Sequence, residues 1–593
     1  MLFWLPQTFY QYLLQGFMKS HLHSIGWIIL LFISSSSLFA QETPSTPTQG
    51  QLHGNFQMLW QQYNEDSLIG ATVPPAKTGL NAFGNFTYTY GKFTAGMRFE
   101  SYLNAIQGYS VGARYQGTGI GYRYAQYNND GLDITVGNFY EQFGSGLALR
   151  TYWEPNLGID NAIDGARVVY SPIEGVKMKA IYGHQRLAFD SRLINSESLI
   201  RGADGEIHLN ELFGSVKKIT SDTAASNFAD AKLKVILGGS FVSKFEEGGI
   251  LEKDTLLLAY PQNVGVAAGR INIIYGPLTF FGEYAQKAND PSKDNGEIYQ
   301  KGEAIFLNAT YSKKGFGINV AAKNVDNMSF RSNRDLTLFD VPINFNPAIT
   351  KQHTYNLAAT LYPYATPVAG ESSYSAEVFY TLKKGSKLGG TYGTQISVNF
   401  SAANSLDKTN LEGAEGLIYG YRRNTLGFGN EKYVRDLNVE FKRKLNKKWS
   451  MAATYYYLEF NTTATPVSAD FKGLVFADIE VLELNYKVTP KNNIHLELQA
   501  MQTKQDKGDW ATALVEYTYS PHWTVAIIDQ YNYGNKKADS RVHYLFGTVG
   551  YINGANRVTL GYGKRREGVF CIGGVCRTVP ATNGFELTIT STF

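Results

Sequence analysis

Beyond its first forty residues the sequence has no long hydrophobic run, which excludes a bundle of membrane helices, since each needs about 20 consecutive apolar residues. Cysteine is almost missing: the two that occur cannot supply a four-ligand structural zinc site, and no neighbouring histidine completes one. Proline, which interrupts strands, is sparse at 18 in 593 residues. Charge of one sign is lacking too, because the formal balance is only +4, and that gives no basis for nucleic-acid binding. What the chain has instead is aromatic residues, with 40 Tyr and 35 Phe against 7 Trp. Tyr, Phe and Thr suit pleated, half-buried surfaces, and a barrel hides its membrane face in alternation where average hydropathy misses it.

The one apolar stretch runs from Ile25 to Ile33, after Lys19 and before four serines and Leu38-Phe39-Ala40. It is too short to span a bilayer and reads as a secretory signal peptide over residues 1–40, cleaved after Ala40. Met18-Lys19 looks like a more usual start, which makes 1–17 a candidate mis-annotated extension. Residues 41–50 read as a Pro/Thr/Ser linker, too short for a separate N-terminal plug domain, and energy-coupled uptake of the TonB-dependent kind is therefore not expected.

From residue 51 to 593 the chain alternates. In Leu437-Asn438-Val439-Glu440-Phe441-Lys442 every second side chain is apolar, and Ile494–Ala500, Arg557–Tyr562 and the last strand up to Phe593 repeat the pattern. A soluble sandwich also alternates. The connections decide for a membrane barrel: tight turns at Gly91-Lys92, Asn128-Asn129-Asp130, Gly276-Pro277, Lys313-Lys314-Gly315, Leu445-Asn446-Lys447, Ser520-Pro521-His522 and Asn553-Gly554 alternate with long polar connections at 65–81, 188–201, 246–261, 288–300, 402–432 and 567–582. The expected fold is a single all-β, transmembrane, antiparallel up-and-down barrel of about 26 strands, with 24 almost as acceptable and the lumen partly filled by loops. Residues 200–232 and 326–350 do not read cleanly as strands. A phase slip between Val481 and Leu482 reads as a bulge. Helix is expected only in short pieces near 209–220 or 405–416.

The most unusual segment is 138–167, where Gly residues and the charged or polar groups Glu141, Arg150, Glu154, Asp160, Asn161, Asp164 and Arg167 are too many for a lipid-facing surface. Two readings stand. It is either an inward loop that constricts the lumen or binds a solute, or a structural plug or external loop held by internal ion pairs. Cys571 and Cys576 flank Gly573-Gly574 in the connection before the last strand, and an oxidising exterior favours a disulfide, with free thiols as the alternative.

The FYEQFGSGL and LGIDNAIDG segments, Lys351-Gln352-His353-Thr354-Tyr355 and Cys571-Ile572-Gly573-Gly574-Val575-Cys576-Arg577 together resemble a domain-of-unknown-function family of Bacteroidota outer-membrane β-barrel proteins. The resemblance covers nearly the whole mature chain. It implies fold and outer-membrane location, and it brings no catalytic residue.

The search for chemistry is negative. Nine scattered His include no H-E-x-x-H, and the glycines of 117–121 run into a strand, where small-residue packing explains them better than a phosphate loop. No cofactor, metal site or catalytic residue is expected, and the chain does not read as an enzyme. The leading expectation is a channel or transporter-like barrel for an unknown solute. A non-transporting scaffold in a secretion or surface-attachment assembly, with an envelope protein partner, is the second; a barrel-embedded hydrolase is the third. Outer-membrane lipid and, during biogenesis, the insertion machinery are the expected partners. Phe593, an aromatic C-terminus on an alternating strand, resembles the signal that machinery reads.

Overall fold

A strand whose backbone groups must be satisfied without water can cross a bilayer only in a closed sheet. The computed structural model, which describes residues 49–109, 114–213, 232–254, 256–337, 340–465, 471–572 and 575–593, has such a sheet. Twenty-four strands join antiparallel into one ring, from Gln51–Tyr63 round to Thr582–Thr592, and the last strand pairs with both Asn556–Arg565 and the first strand. Residues 1–40 and most of the 41–50 linker lie outside the described residues, so the signal-peptide reading has no structural counterpart.

Of the two expected counts, about 26 or 24, the ring has the lower. One of the two stretches that did not read cleanly, 326–350, bears on the difference: the described residues of 327–370 enter the lumen and add nothing to the wall. All seven expected tight turns sit at one end of the barrel, with the start of the first strand and Phe593. Two expected long connections are corrected. Strands Val176–Asp190 and Leu193–His208 run through 188–201 and turn at Ser191 and Arg192, while Thr394–Asn410 and Tyr421–Lys444 run through 402–432 and leave only the helix Gly413–Tyr419 at the tip. Strands that extend beyond the bilayer meet water on their outer face, so they lose the apolar alternation while keeping the ladder. The helical expectations hold in part: residues 209–213 are helical before the described chain breaks off, and the second helix starts at 413.

The proposed bulge at Val481-Leu482 is absent. Pairing runs unbroken along both edges of Leu474–Lys487. The phase changes because the inner face changes partner: Val475, Ala477, Ile479 and Val481 are buried against chain inside the lumen, and below them Leu482, Leu484 and Tyr486 take over on the outer face. On that outer face exposed aromatics gather at the short-turn end, including Tyr90, Phe93, Tyr275, Tyr380, Trp449, Tyr519 and Trp523. Trp449 stacks on Tyr486 with ring centroids 4.4 Å apart, and Trp523 meets Tyr551 at 4.8 Å. A second exposed row, with Phe241, Tyr284, Tyr562 and Phe585, stands higher on the strands. Two aromatic rows bounding an apolar outer band mark the membrane interfaces of an outer-membrane barrel. The protein is a bacterial outer-membrane barrel.

Candidate functional site

Two segments turn inward, and they build the site. The first leaves the wall after the strand Leu132–Phe139 and rejoins it at Ile163–Tyr170. These are short strands of 8 residues, and the wall above them is completed by the hairpin tip around Ser191, where Phe189 and Asp190 pair in parallel with Tyr115 and Gln116. The second inward segment is made of the described residues of 327–370, with the helix Asn356–Leu361 in its C-terminal half.

The inward segments carry the apolar cores. Phe143, Leu147, Ala148 and Leu149 of the first meet Met328, Phe330 and Ile343 of the second, and both lie on small inner-wall residues such as Val264, Val266, Ala285 and Ala304. Backbone bonds join the two: Arg150 N–H donates to the Ile343 carbonyl at 2.8 Å and Phe345 N–H to that of Gly146 at 3.0 Å. Residues 355–364 form a separate core with Val434, Phe460, Ile479 and Met501 on the opposite side of the lumen.

Charge fixes the first segment to the wall. Asp160 accepts from Arg186 Nη1 at 2.8 Å, from Arg98 Nη2 and from the Tyr140 hydroxyl at 2.9 Å. Arg186 in turn grips Glu100 with both Nη atoms, at 2.7 and 2.8 Å, and Arg98 Nε reaches the same carboxylate at 2.8 Å. Two cations and two anions thus neutralise each other where the Arg186 and Glu100 side chains are 0% exposed. A buried charge is tolerated only when paired and hydrogen-bonded in this way. The glycine-rich stretch 117–121 has its role here: a β-carbon on Gly121 would stand 2.1 Å from Glu100 Oε1, so the small residue makes room for the carboxylate.

A second anchor lies beside it. Glu141 accepts from Arg167 Nε at 2.6 Å and Lys179 Nζ at 2.8 Å. Burial opposes its charge, but the bonds from Lys179 and Arg167 outweigh burial and hold the carboxyl below the ordinary range. Of the other expected residues, Asn161 bridges the inward segments, its Nδ2 donating to the Pro342 carbonyl at 3.0 Å, and Arg150 lies over the Phe345 ring at 4.2 Å. Asp164 and Arg167 are wall residues on Ile163–Tyr170, and Glu154 only caps its own turn at Asn156. The ion pairs of the plug reading are therefore present.

Sequence reasoning missed the wall side of these contacts. Arg98 and Glu100 share the strand Phe93–Tyr102 while Arg186 lies on Val176–Asp190, and nothing local distinguishes them from lumen-lining residues. It also missed the anchors of the second segment: Arg331 with Asp294, Arg334 Nε with Glu246 at 3.2 Å, and His353 Nε2 with Asp436 at 2.5 Å. One signal was available, since 326–350 failed to alternate. Among the described residues no group of three His, Cys, Asp or Glu gathers as metal ligands.

A model of a family of unknown function, DUF6029, matches residues 22–593. The chain belongs to that family. No curated protein matches this DUF6029 chain. Among solved structures it is similar to the translocation pore of the P pilus usher PapC, at 7% identity and a TM-score of 0.38, over 91% of this chain and 99% of that one. It is also similar to the siderophore receptor PirA from Pseudomonas aeruginosa (11% identity, TM-score 0.37, 93% and 81% covered) and to OpdQ from the same organism (10%, 0.29, 81% and 96%).

Between the two inward cores of the DUF6029 barrel a cavity of about 510 Å³ remains, bounded by the seam strands Gln51–Tyr63 and Thr582–Thr592. Amides and aromatics stand out in its wall, among them Gln57, Gln61, Gln107 and Gln530 with Phe83, Tyr109, Tyr544 and Phe546, and Glu586 also lines it. Three consecutive cations, Lys564, Arg565 and Arg566, line one side.

Proposed function

We propose that this protein is a channel or transporter-like barrel in the outer membrane of a member of the Bacteroidota, and that passage through it requires the inward segments to move. The observation that carries this reading is the filled lumen. A ring of 24 strands encloses more space than its own side chains can fill, and here two separately anchored segments occupy it and leave an amide-lined cavity. A barrel serving only as a membrane anchor has no need of a polar chamber inside. Lipid covers the outer face, and the insertion machinery reads the terminal strand ending in Phe593. No catalytic step belongs to this reading.

Planar-bilayer recording tests it. The full protein should show rare, small openings, and replacing residues 144–158 with a short Gly linker should give larger, longer-lived conductance; the deletion has to stop before Ile163, where the wall strand begins. Silent bilayers with both proteins would refute the channel reading.

A second reading, a scaffold for an envelope protein partner, draws on one observation: on the external hairpin Ile250–Lys253 and Leu256–Ala259, Ile250 and Leu257 are each 69% exposed, above the apolar band. Crosslinking from position 257 in intact cells should capture a stoichiometric partner under that reading.

A further inference from the structure

Arg566 is the unusual group of the seam cavity. Its Nε donates to Gln530 Oε1 at 3.1 Å, Nη1 to the Glu567 carbonyl at 3.1 Å and Nη2 to Thr360 Oγ1, which uses three of the five N–H groups of a guanidinium. All three acceptors are neutral. Among the described residues no carboxylate lies within ion-pair distance of it. The acids around it are committed elsewhere: Asp66 to Lys564 at 2.7 Å, Glu586 to Arg565 at 2.6 and 2.9 Å, and Glu567 to Lys507 at 2.9 Å. Trp510 lies beneath the guanidinium, 5.4 Å from its carbon, and excludes water on that side. Burial lowers the pKa of Arg566 to about 10, which leaves it charged at neutral pH.

Elsewhere in the lumen the buried cations Arg98, Arg186, Arg270 and Lys244 each meet carboxylates. Lys287 and Arg435 also donate to neutral acceptors, Lys287 to the Ser329 carbonyl at 2.6 Å, but of these only Arg566 lines the seam cavity. A positive charge with no carboxylate in direct contact, held by neutral acceptors and facing a cavity with amides on its walls, is the complement of a single negative charge on a polar organic molecule. We propose that the seam cavity binds a small carboxylate-bearing solute, with the two remaining N–H groups of Arg566 donating to the carboxylate and the amides of Gln57, Gln61 and Gln107 serving its uncharged polar groups.

This inference rests on the channel reading for its biological sense, but its test does not depend on conductance. Full-length protein in detergent is titrated calorimetrically with gluconate and benzoate, and in parallel with glucose and benzamide, their uncharged counterparts. At least one carboxylate should bind, and its uncharged counterpart should bind at least tenfold more weakly. Arg566→Gln should weaken carboxylate binding at least tenfold, and Arg566→Lys, which keeps the charge but loses the planar fork, should fall between. Migration on unheated gels shows that each variant is folded. Failure of both carboxylates to bind the wild-type protein, equal binding of the uncharged probes, or unchanged binding by Arg566→Gln would overturn the proposal. Conductance without carboxylate binding removes the anion site alone, whereas binding without conductance in any form removes the channel reading alone.

Discussion

Phe593 lies across Gly54, so closely that a β-carbon on Gly54 would stand 2.5 Å from the tip of the ring. The two residues also exchange backbone bonds, Gly54 N–H to the Phe593 carbonyl at 2.8 Å and Phe593 N–H to the Gly54 carbonyl at 2.9 Å. They close the seam of the barrel at its short-turn end, and Phe86 meets the same ring at 5.9 Å. An aromatic side chain laid over a glycine on the neighbouring strand covers backbone that would otherwise be bare.

Gly54→Val forces the ring aside, and Phe593→Ala removes it. Both should lower the folded fraction on unheated gels several-fold, while the loss of stability of barrels that do assemble should be smaller, about 1 kcal/mol. Wild-type yield from both variants would show that the contact contributes nothing to assembly.

Asp160→Ala leaves two buried arginines sharing Glu100 alone. Removing one partner from a buried network costs about 3–5 kcal/mol, and the cost should fall on the inward segment because Asp160 is one of its two charged links to the wall, with Glu141 the other. Hydrogen exchange should rise across residues 140–162 with the wall strands still protected. Protection equal to wild type would contradict the anchoring role.

Glu141 predicts a pH dependence. Its folded-state pKa is depressed below the ordinary 4.5, so its contribution is fully present above that value and fades as pH falls through the lower, folded one. Exchange of residues 140–150 should therefore be flat with pH, after correction for intrinsic rates, until the solution is more acidic than ordinary glutamate titration. Glu141→Gln should abolish the acid step; a step beginning near neutrality would contradict the assignment.

Ile479 and Leu482 are three residues apart on one strand and serve opposite faces. Ile479 is 0% exposed in the core formed with residues 355–364, whereas Leu482 faces outward. Leu482→Lys places a charge in the apolar band and should cost about 2–4 kcal/mol and impair insertion. Ile479→Asn should insert normally and instead expose the 351–364 segment to added protease. Equivalent insertion defects in both would restore a bulge that puts the two side chains on one face.

Cys571 stands opposite Cys576 in the register of the external hairpin Gly568–Ile572 and Val575–Val579; the expected turn residues Gly573 and Gly574 lie outside the described residues. Antiparallel partners bring their α-carbons to about 4.5–5.5 Å, which a disulfide can span. We propose that the bond forms, and both thiols should resist alkylation until reduced. Free thiols by mass spectrometry of the unreduced protein would refute it.

The wall was largely legible because its physics is local. A strand between lipid and a polar lumen must alternate, and a two-residue turn needs residues such as Gly91 or Gly276 that accept positive φ, at 58° and 55° here. Where that environment ended, so did legibility. The strand extensions at 188–201 and 402–432 looked like loops because water bathes their outer face, and the slip at Val481 looked like a bulge because apolar chain replaced polar lumen behind it. Within 138–167 the sequence marked the right charges, Glu141 and Asp160 above all, yet gave no hint that their partners are Arg98, Arg186 and Lys179.

By itself, then, the sequence determined a closed, alternating, membrane-crossing wall, its direction and the terminal strand that ends at Phe593, since each depends only on side chains one or two residues apart. Tertiary structure alone decided the strand number, the entry of 327–370 into the lumen, the pairing of buried charges and the isolation of Arg566. Those outcomes depend on groups from distant strands meeting in a space of low dielectric, where a charge is compensated or left bare according to neighbours that no local pattern specifies.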